Sequence, residues 1–219
     1  LLLFSKKKAL TADVTIVSAW VRAWAVSRGV APPVAAHGGY CVQVGLPDQA
    51  RRYVFSALNE GAVALAEALD ERFVFLKICA APDAVRAVLP ARWVIQAPSF
   101  MMMVDGAMVG GAGVPARYRL VVEGGAPVAS VRIVAADGTE AARGSVVLAD
   151  GFAVYDRIAT VLRHRRHGLG RAVMTGLETV AFGWGLRRGV LVATEAGRGL
   201  YEAMGWRAIS PYTSAVIEG

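Results

Sequence analysis

Between residues 161 and 173 the chain reads VLRHRRHGLGRAV, four arginines and two of the three histidines around Gly168-Leu169-Gly170. Cations at that density favour an anionic ligand, and glycines let a ligand reach the backbone because no Cβ intervenes. If a strand enters this stretch and a helix leaves it, the unpaired N–H groups of the first helical turn point into the loop. The helix dipole adds partial positive charge there. Such a loop suits a pyrophosphate held through the main chain. No Lys-Ser/Thr pair follows the glycines and GxGxxG is absent, so the commoner nucleotide loops do not describe it. His164 and His167 stand three residues apart with no third ligand nearby, so they read as solvated loop residues and no metal is expected.

The elements that must position the loop follow from periodicity. Residues 12–28 read as a helix, with Thr11 as N-cap and Arg28-Gly29 as its stop. Residues 40–104 alternate strand-like and helix-like pieces, among them the buried strand RFVFLKICA and the extended RWVIQAPSFMMMV. They compose a small α+β unit in which Met101–Met103 read as packing. The stretch DGAMVGGAGVPARY (105–118) has glycines and a proline but no helix behind it, so it reads as a linker and marks the domain boundary: 1–104 before it, 105–219 after. Four strand candidates follow, at 117–122, 127–135, 140–148 and 152–161, joined by Gly-containing turns typical of hairpins. Then Leu169, Val173, Leu177, Val180 and Trp184 fall on one helical face, stopped by Gly185. GVLVAT (189–194) is a buried strand, EAGRGLYEAM a short helix, and WRAIS and TSAVI are closing strands. Trp20, Trp24, Trp93 and Trp184 read as packing residues.

In that context Arg165-x-x-Gly168-x-Gly170, after the β-run FAVYDRIATV and before an amphipathic helix, resembles the acetyl-CoA loop of the GCN5-related N-acetyltransferases (GNAT superfamily). LYEAMGW (200–206) is similar to the family's Leu-Tyr-x-x-x-Gly-Phe/Trp element. The likeness covers residues 117–219 and is poor before them. It implies an α/β (α+β) fold: a mixed, mostly antiparallel sheet flanked by helices, open between the strand before the loop and strand 189–194. An N-terminal α+β extension precedes it, which would complete the acceptor pocket and could be a degenerate half-copy of the same fold. It also implies acetyl-CoA as co-substrate and transfer of the acetyl group to an amine of a small molecule or peptide by direct attack in a ternary complex. Ala159 and Val161 would bond the pantetheine arm through their backbone. The N–H groups of Arg166, His167, Gly168, Leu169, Gly170, Arg171 and Ala172 would cradle the pyrophosphate, with Arg165 or Arg171 reaching a phosphate oxygen. Thr194 stands where many members carry asparagine, and its hydroxyl would replace part of a CoA contact. Tyr201 falls where the family places a tyrosine beside the CoA sulfur and would act as general acid, while a backbone N–H stabilises the oxyanion. Asp156 is the candidate base, and equally a partner for Arg157 or for a substrate cation.

Composition narrows the remaining classes. With 55% hydrophobic and 19% charged residues the chain is not disordered, and 219 residues can bury a real core as one domain or two. Cys41 and Cys79, without a CxxC spacing, read as free thiols in a reducing cytosol, and the expected localisation is cytoplasmic. The start, Leu1-Leu2-Leu3-Phe4 then Lys6-Lys7-Lys8, orders apolar and basic residues opposite to a signal peptide, and the absent Met reads as a trimmed start. The best apolar window, 9–27, holds Asp13 and Arg22 and is no membrane span. Of the net charge of +7, nine arginines from Arg157 to Arg207 against Glu178, Glu195 and Glu202 place +6 between residues 157 and 207. The arginines are not interleaved with aromatics, so no nucleic-acid or membrane partner is expected; a homodimer is compatible. Two other readings stay open, a non-catalytic CoA-binding regulator and a nucleic-acid-binding module using the Arg-rich loop.

Overall fold

A computed structural model describes residues 12–218; the basic and apolar runs at 1–8, and Thr11, lie outside them. Helix α1 (Val14–Arg28) is capped by Asp13, whose carboxylate accepts from the Thr15 N–H at 2.8 Å, an acceptor as good as any for the open first turn. Gly29 stops it at φ 64°, its N–H reaching the Ala25 and Val26 carbonyls.

The same order of elements then occurs twice. The first set is β1 (Val34–Ala36), β2 (Gly39–Leu46), β3 (Gln49–Phe55), α2 (Glu60–Ala68), β4 (Val74–Ile78), α3 (Pro82–Val88), β5 (Val94–Ile95) and β6 (Ser99–Asp105). After β7 (Tyr118–Gly125) comes the second: β8 (Val128–Ala135), β9 (Glu140–Ala149), β10 (Phe152–Thr160), α4 (Leu169–Gly183), β11 (Arg188–Thr194), α5 (Glu195–Glu202), β12 (Arg207–Pro211) and β13 (Thr213–Val216). In each set three antiparallel strands lead through a helix to a strand parallel with the third. These are the only parallel pairs among the described residues, so both sheets are mostly antiparallel.

The last strand of each set leaves for the other sheet. The seven-stranded sheet runs β12-β6-β11-β10-β9-β8-β7, with β6 between β11 and β12. The six-stranded sheet runs β1-β2-β3-β4-β13-β5, with β13 between β4 and β5. Hydrogen bonding therefore crosses the position 104/105 in both directions. The three consecutive methionines have their reason here. Inside a sheet covered on both faces a strand needs an unbroken apolar run, and Met102 packs on the α4 side while Met101 and Met103 pack on the α1 side.

Three clusters form the core. Helices α4 and α5 cover one face of the seven-stranded sheet. Helix α1 covers the other with Val17, Trp20, Val21 and Trp24, and meets Val42 and Val54 from the inner face of the six-stranded sheet. Helices α2 and α3 cover that sheet's outer face, where Trp93 donates through Nε1 to the Ala66 carbonyl at 3.0 Å. The glycine-rich connection between β6 and β7 is strapped to α4. Met108 N–H donates to the Glu178 carboxylate at 2.5 Å, and Arg171 Nη1 to the Gly110 carbonyl at 2.7 Å.

The exchange predicts that a change at the end of the chain damages the first half. Ala215 on β13 is fully buried in the core cluster of the six-stranded sheet. Ala215→Asp would place an unpaired charge there and should destabilise by about 3–5 kcal/mol, read by urea denaturation.

Candidate active site

Strands β10 and β11 pair only at Ala153↔Gly189 and Val154↔Val190. Beyond them β10 stays with β9, whereas β11 follows β6 to Thr194↔Ser99, so a gap opens between the two parallel strands. A bulge drives the parting. The β10–β9 register shifts between Asp156 and Ala159, and Arg157 sits at φ 56°, which bends the bulged strand away.

The loop from β10 to α4 makes one 3-10 turn, Leu162–His164. Val161 does not face the gap: its N–H donates to the Ala141 carbonyl at 2.9 Å and its own carbonyl accepts from His164 N–H at 2.8 Å. Antiparallel pairing alternates between bonded and non-bonded positions, so Ala159, opposite Arg143, also turns its backbone to β9. Thr160 between them is the residue whose main chain faces outward, and its carbonyl accepts from Arg165 Nε at 3.3 Å. The backbones of Ala159 and Val161, the residues expected to meet the pantetheine arm, are therefore turned to β9, and that of Thr160 is turned to the gap.

Helix α4 begins at Gly168, φ 74°, with no side-chain cap. The backbone N–H groups of residues 166–171 have no hydrogen-bond partner among the described residues. Ala172 already bonds the Gly168 carbonyl at 3.1 Å, so the free row ends at Arg171. A Cβ at residue 170 would lie 3.0 Å from Leu200 Cδ2, so glycine there lets α4 and α5 approach. Leu169 is buried and anchors the turn. The side chains are more committed than their charge implies. Arg171, one of the two arginines expected to reach a phosphate, fastens the strap at Gly110. His164 Nδ1 shares a hydrogen bond with Tyr118 Oη at 3.1 Å, and His164 Nε2 accepts from Arg163 Nε at 3.0 Å. No cluster of three metal-ligating side chains occurs among the described residues. The row of free donors at a glycine-lined helix start, residues 166–171, suits an anionic group such as a pyrophosphate.

Tyr201 is buried against Trp206, ring centroids 6.2 Å apart, and Trp206 stands edge-on to Tyr155 at 5.2 Å. Burial, with the Asp156 charge second, pushes the Tyr201 phenol up to about 12. Its hydroxyl has no hydrogen-bond partner among the described residues. Thr194 caps α5, its hydroxyl accepting from Gly197 N–H at 3.2 Å. Asp156 pairs with Arg28 at the end of α1 rather than with Arg157, and accepts from Ser27 Oγ at 3.1 Å.

A cavity of about 560 Å³ lies between the end of α1, the inner face of the six-stranded sheet and the gap. Asp156 and Thr194 line it, together with residues that sequence reasoning passed over: Arg28, Arg52, Lys77 and Tyr212. One signal could have found Lys77, a lone cation inside the run FVFLKICA, which otherwise reads as fully buried. Burial first, then the charge of Arg52, brings the Lys77 ammonium down to about 7.

A model of the Acetyltransferase (GNAT) family matches residues 91–206, and the chain belongs to that family. It is an acyltransferase, and membership implies acyl-CoA-dependent acetyltransferase activity. A GCN5-related N-acetyltransferase from Kribbella flavida superposes with TM-score 0.69 at 16% identity, covering 96% of this chain and 97% of its own. A putative GNAT acetyltransferase from Novosphingobium aromaticivorans gives 0.57 at 18%, covering 94% and 98%. A tandem GNAT protein from the clavulanic acid biosynthesis pathway gives 0.53 at 16%, covering 75% and 74%. At these identities the structures share the fold. No curated protein matches the chain in sequence. No helix among the described residues is long and apolar enough to cross a membrane.

The lowered Lys77 makes stability pH-dependent with a definite sign. The unfolded chain binds the Lys77 proton up to about pH 10.5 and the folded one only to about 7, so stability rises with pH across that interval. Urea midpoints should increase from pH 7 to 9.5, and Lys77→Met should flatten that rise.

Proposed function

We propose that the protein is an acetyl-CoA-dependent N-acetyltransferase that passes the acetyl group directly to an amine bound in the cavity beside the gap. The observation that carries this reading is the row of unpartnered N–H groups at residues 166–171, set at the mouth of the parted strands. Acetyl-CoA supplies an activated thioester carbonyl. Thr160 presents main-chain groups along the gap for the pantetheine amides, and the free N–H row with Gly168 and Gly170 holds the pyrophosphate. Tyr201 keeps its proton throughout the physiological range, as a general acid for a leaving thiolate must. Its ring closes one wall against Trp206. The ion pair with Arg28 and the hydrogen bond from Ser27 favour a positioning part for Asp156 over that of the base, because its carboxylate oxygen is already engaged.

The first half of the chain is then a second copy of the fold that serves the acceptor side. The residues that support this are Trp20, Trp24, Arg28, Arg52 and Lys77, all lining the cavity from before position 105.

Acetyl-CoA should raise the melting temperature, and Gly168→Asp or Gly170→Asp should abolish the rise by placing a carboxylate in the anion cradle. Absence of any shift at millimolar acetyl-CoA overturns the reading. Tyr201→Phe should keep the shift while kcat falls by about 10²-fold or more in a thiol-release assay on an amine panel. Binding of acetyl-CoA with no turnover of any amine by the wild type would instead support a CoA-binding regulator.

A further inference from the structure

The cavity beside the gap carries an imbalance of charge that the transfer chemistry does not use. Arg52 is buried, and among the described residues its only side-chain hydrogen bond runs from Nη2 to Gln49 Oε1 at 2.9 Å, its buried Nε having no partner there. Lys77 donates to Ser214 Oγ at 2.7 Å. Neither cation meets a carboxylate in any ion pair among the described residues, whereas neighbouring Arg28 has Asp156. Trp24 fixes Arg52 in place, the guanidinium carbon lying 3.5 Å from the ring centroid. The Tyr212 hydroxyl, also in the cavity wall, is buried with no hydrogen-bond partner among the described residues. Buried cations without a counter-charge are costly, and an unpartnered donor beside them adds to the cost.

The charges are also sorted by position. The acids that line the cavity, Asp156 on β10 and Glu195 at the start of α5, stand on the seven-stranded side, next to the gap. The unpaired cations stand on β3 and β4 of the six-stranded sheet. Trp20, Trp24 and Tyr212 form apolar wall between them.

We propose that the acceptor is an amino acid-like molecule, whose carboxylate binds Arg52 and Lys77 while its amine lies toward Asp156 and the gap. A carboxylate fits the planar guanidinium and leaves room for the ammonium of Lys77 and the Tyr212 hydroxyl, giving charge-assisted hydrogen bonds to two cations that otherwise meet only neutral acceptors and to a hydroxyl that meets none among the described residues. The identity of the amine as acetyl acceptor rests on the transferase reading above; the carboxylate site does not.

The test compares L-amino acids with their C-terminal amides, by calorimetric binding without acetyl-CoA and by thiol release with it. The acids are expected to bind at least about tenfold tighter than the matched amides, with the same preference in kcat/KM. Arg52→Gln and Lys77→Met should each reduce that preference below about threefold while acetyl-CoA still raises the melting temperature, which shows that the fold and the cradle persist. Arg52→Lys should restore part of it. Equal binding of acids and amides by the wild type, or an unchanged preference in both variants, overturns the carboxylate site. Acid-selective binding without any acetyl-CoA shift would leave this site standing and defeat the transferase reading instead.

Discussion

Strands β6 and β13 pass each other at Ser99 and Tyr212, and the two residues are bonded where they cross. Tyr212 N–H donates to the Ser99 carbonyl at 2.8 Å, and Ser99 Oγ donates to the Tyr212 carbonyl at 2.6 Å. Each strand then fills an inner place in the sheet of the other half, with ladders on both its edges. An inner strand cannot leave without orphaning backbone groups on two neighbours, so neither sheet is complete unless both halves are folded and docked. Docking in turn traps α1 between them and puts Trp20 against Tyr212, ring centroids 5.2 Å apart. The cavity lies at this crossing, which is why residues from both ends of the chain, Arg28 and Ser214 among them, share its wall.

The two sets of elements differ at one joint. In the first half β3 and β4 stay paired from Arg51↔Val74 to Phe55↔Ile78, so no gap opens. The connection to α2 spans only 56–59, and Asn59 closes it, accepting from Ala62 N–H at 2.8 Å and donating to the Gly38 carbonyl at 3.2 Å. Gly61 packs so tightly on His37 that a Cβ would lie 2.0 Å from its carbonyl oxygen. In the second half the bulge at Asp156–Ala159 parts the strands, the connection lengthens to 161–168, and the helix start is left uncapped. A side-chain cap and a ligand compete for the same N–H groups. One half has filled them itself and the other leaves them free.

Much of this was legible in the chain. Helical and strand periodicities, the turn glycines and the proline opening α3 placed the elements close to where they lie, since these signals act within a few residues. The Gly168-Leu169-Gly170 loop and LYEAMGW were legible for the same reason, each being a local arrangement of backbone-permissive and packing residues. The bulge was not, because its sign is a register shift against β9 with a positive φ at Arg157, and neither leaves a pattern in residue types. The register shift decides which backbone groups near Thr160 face the gap.

Apart from β1 (Val34–Ala36), which lies in a stretch that reads as loop, the sequence by itself determined where most helices and strands lie to within a few residues, and that one helix start would carry open N–H groups beside glycines. Those are matters of local sterics and of hydrogen bonds between near neighbours. Only the tertiary structure decided which sheet each closing strand joins, and that Arg28 meets Asp156 across 128 positions of chain. Only there did Arg52 and Lys77, two unremarkable cations on apolar strands, become an unbalanced pair inside a cavity. Strand partners and counter-charges are chosen by contacts distant in sequence, among competitors of nearly equal local fitness. The choice is made by burying both faces of both sheets at once.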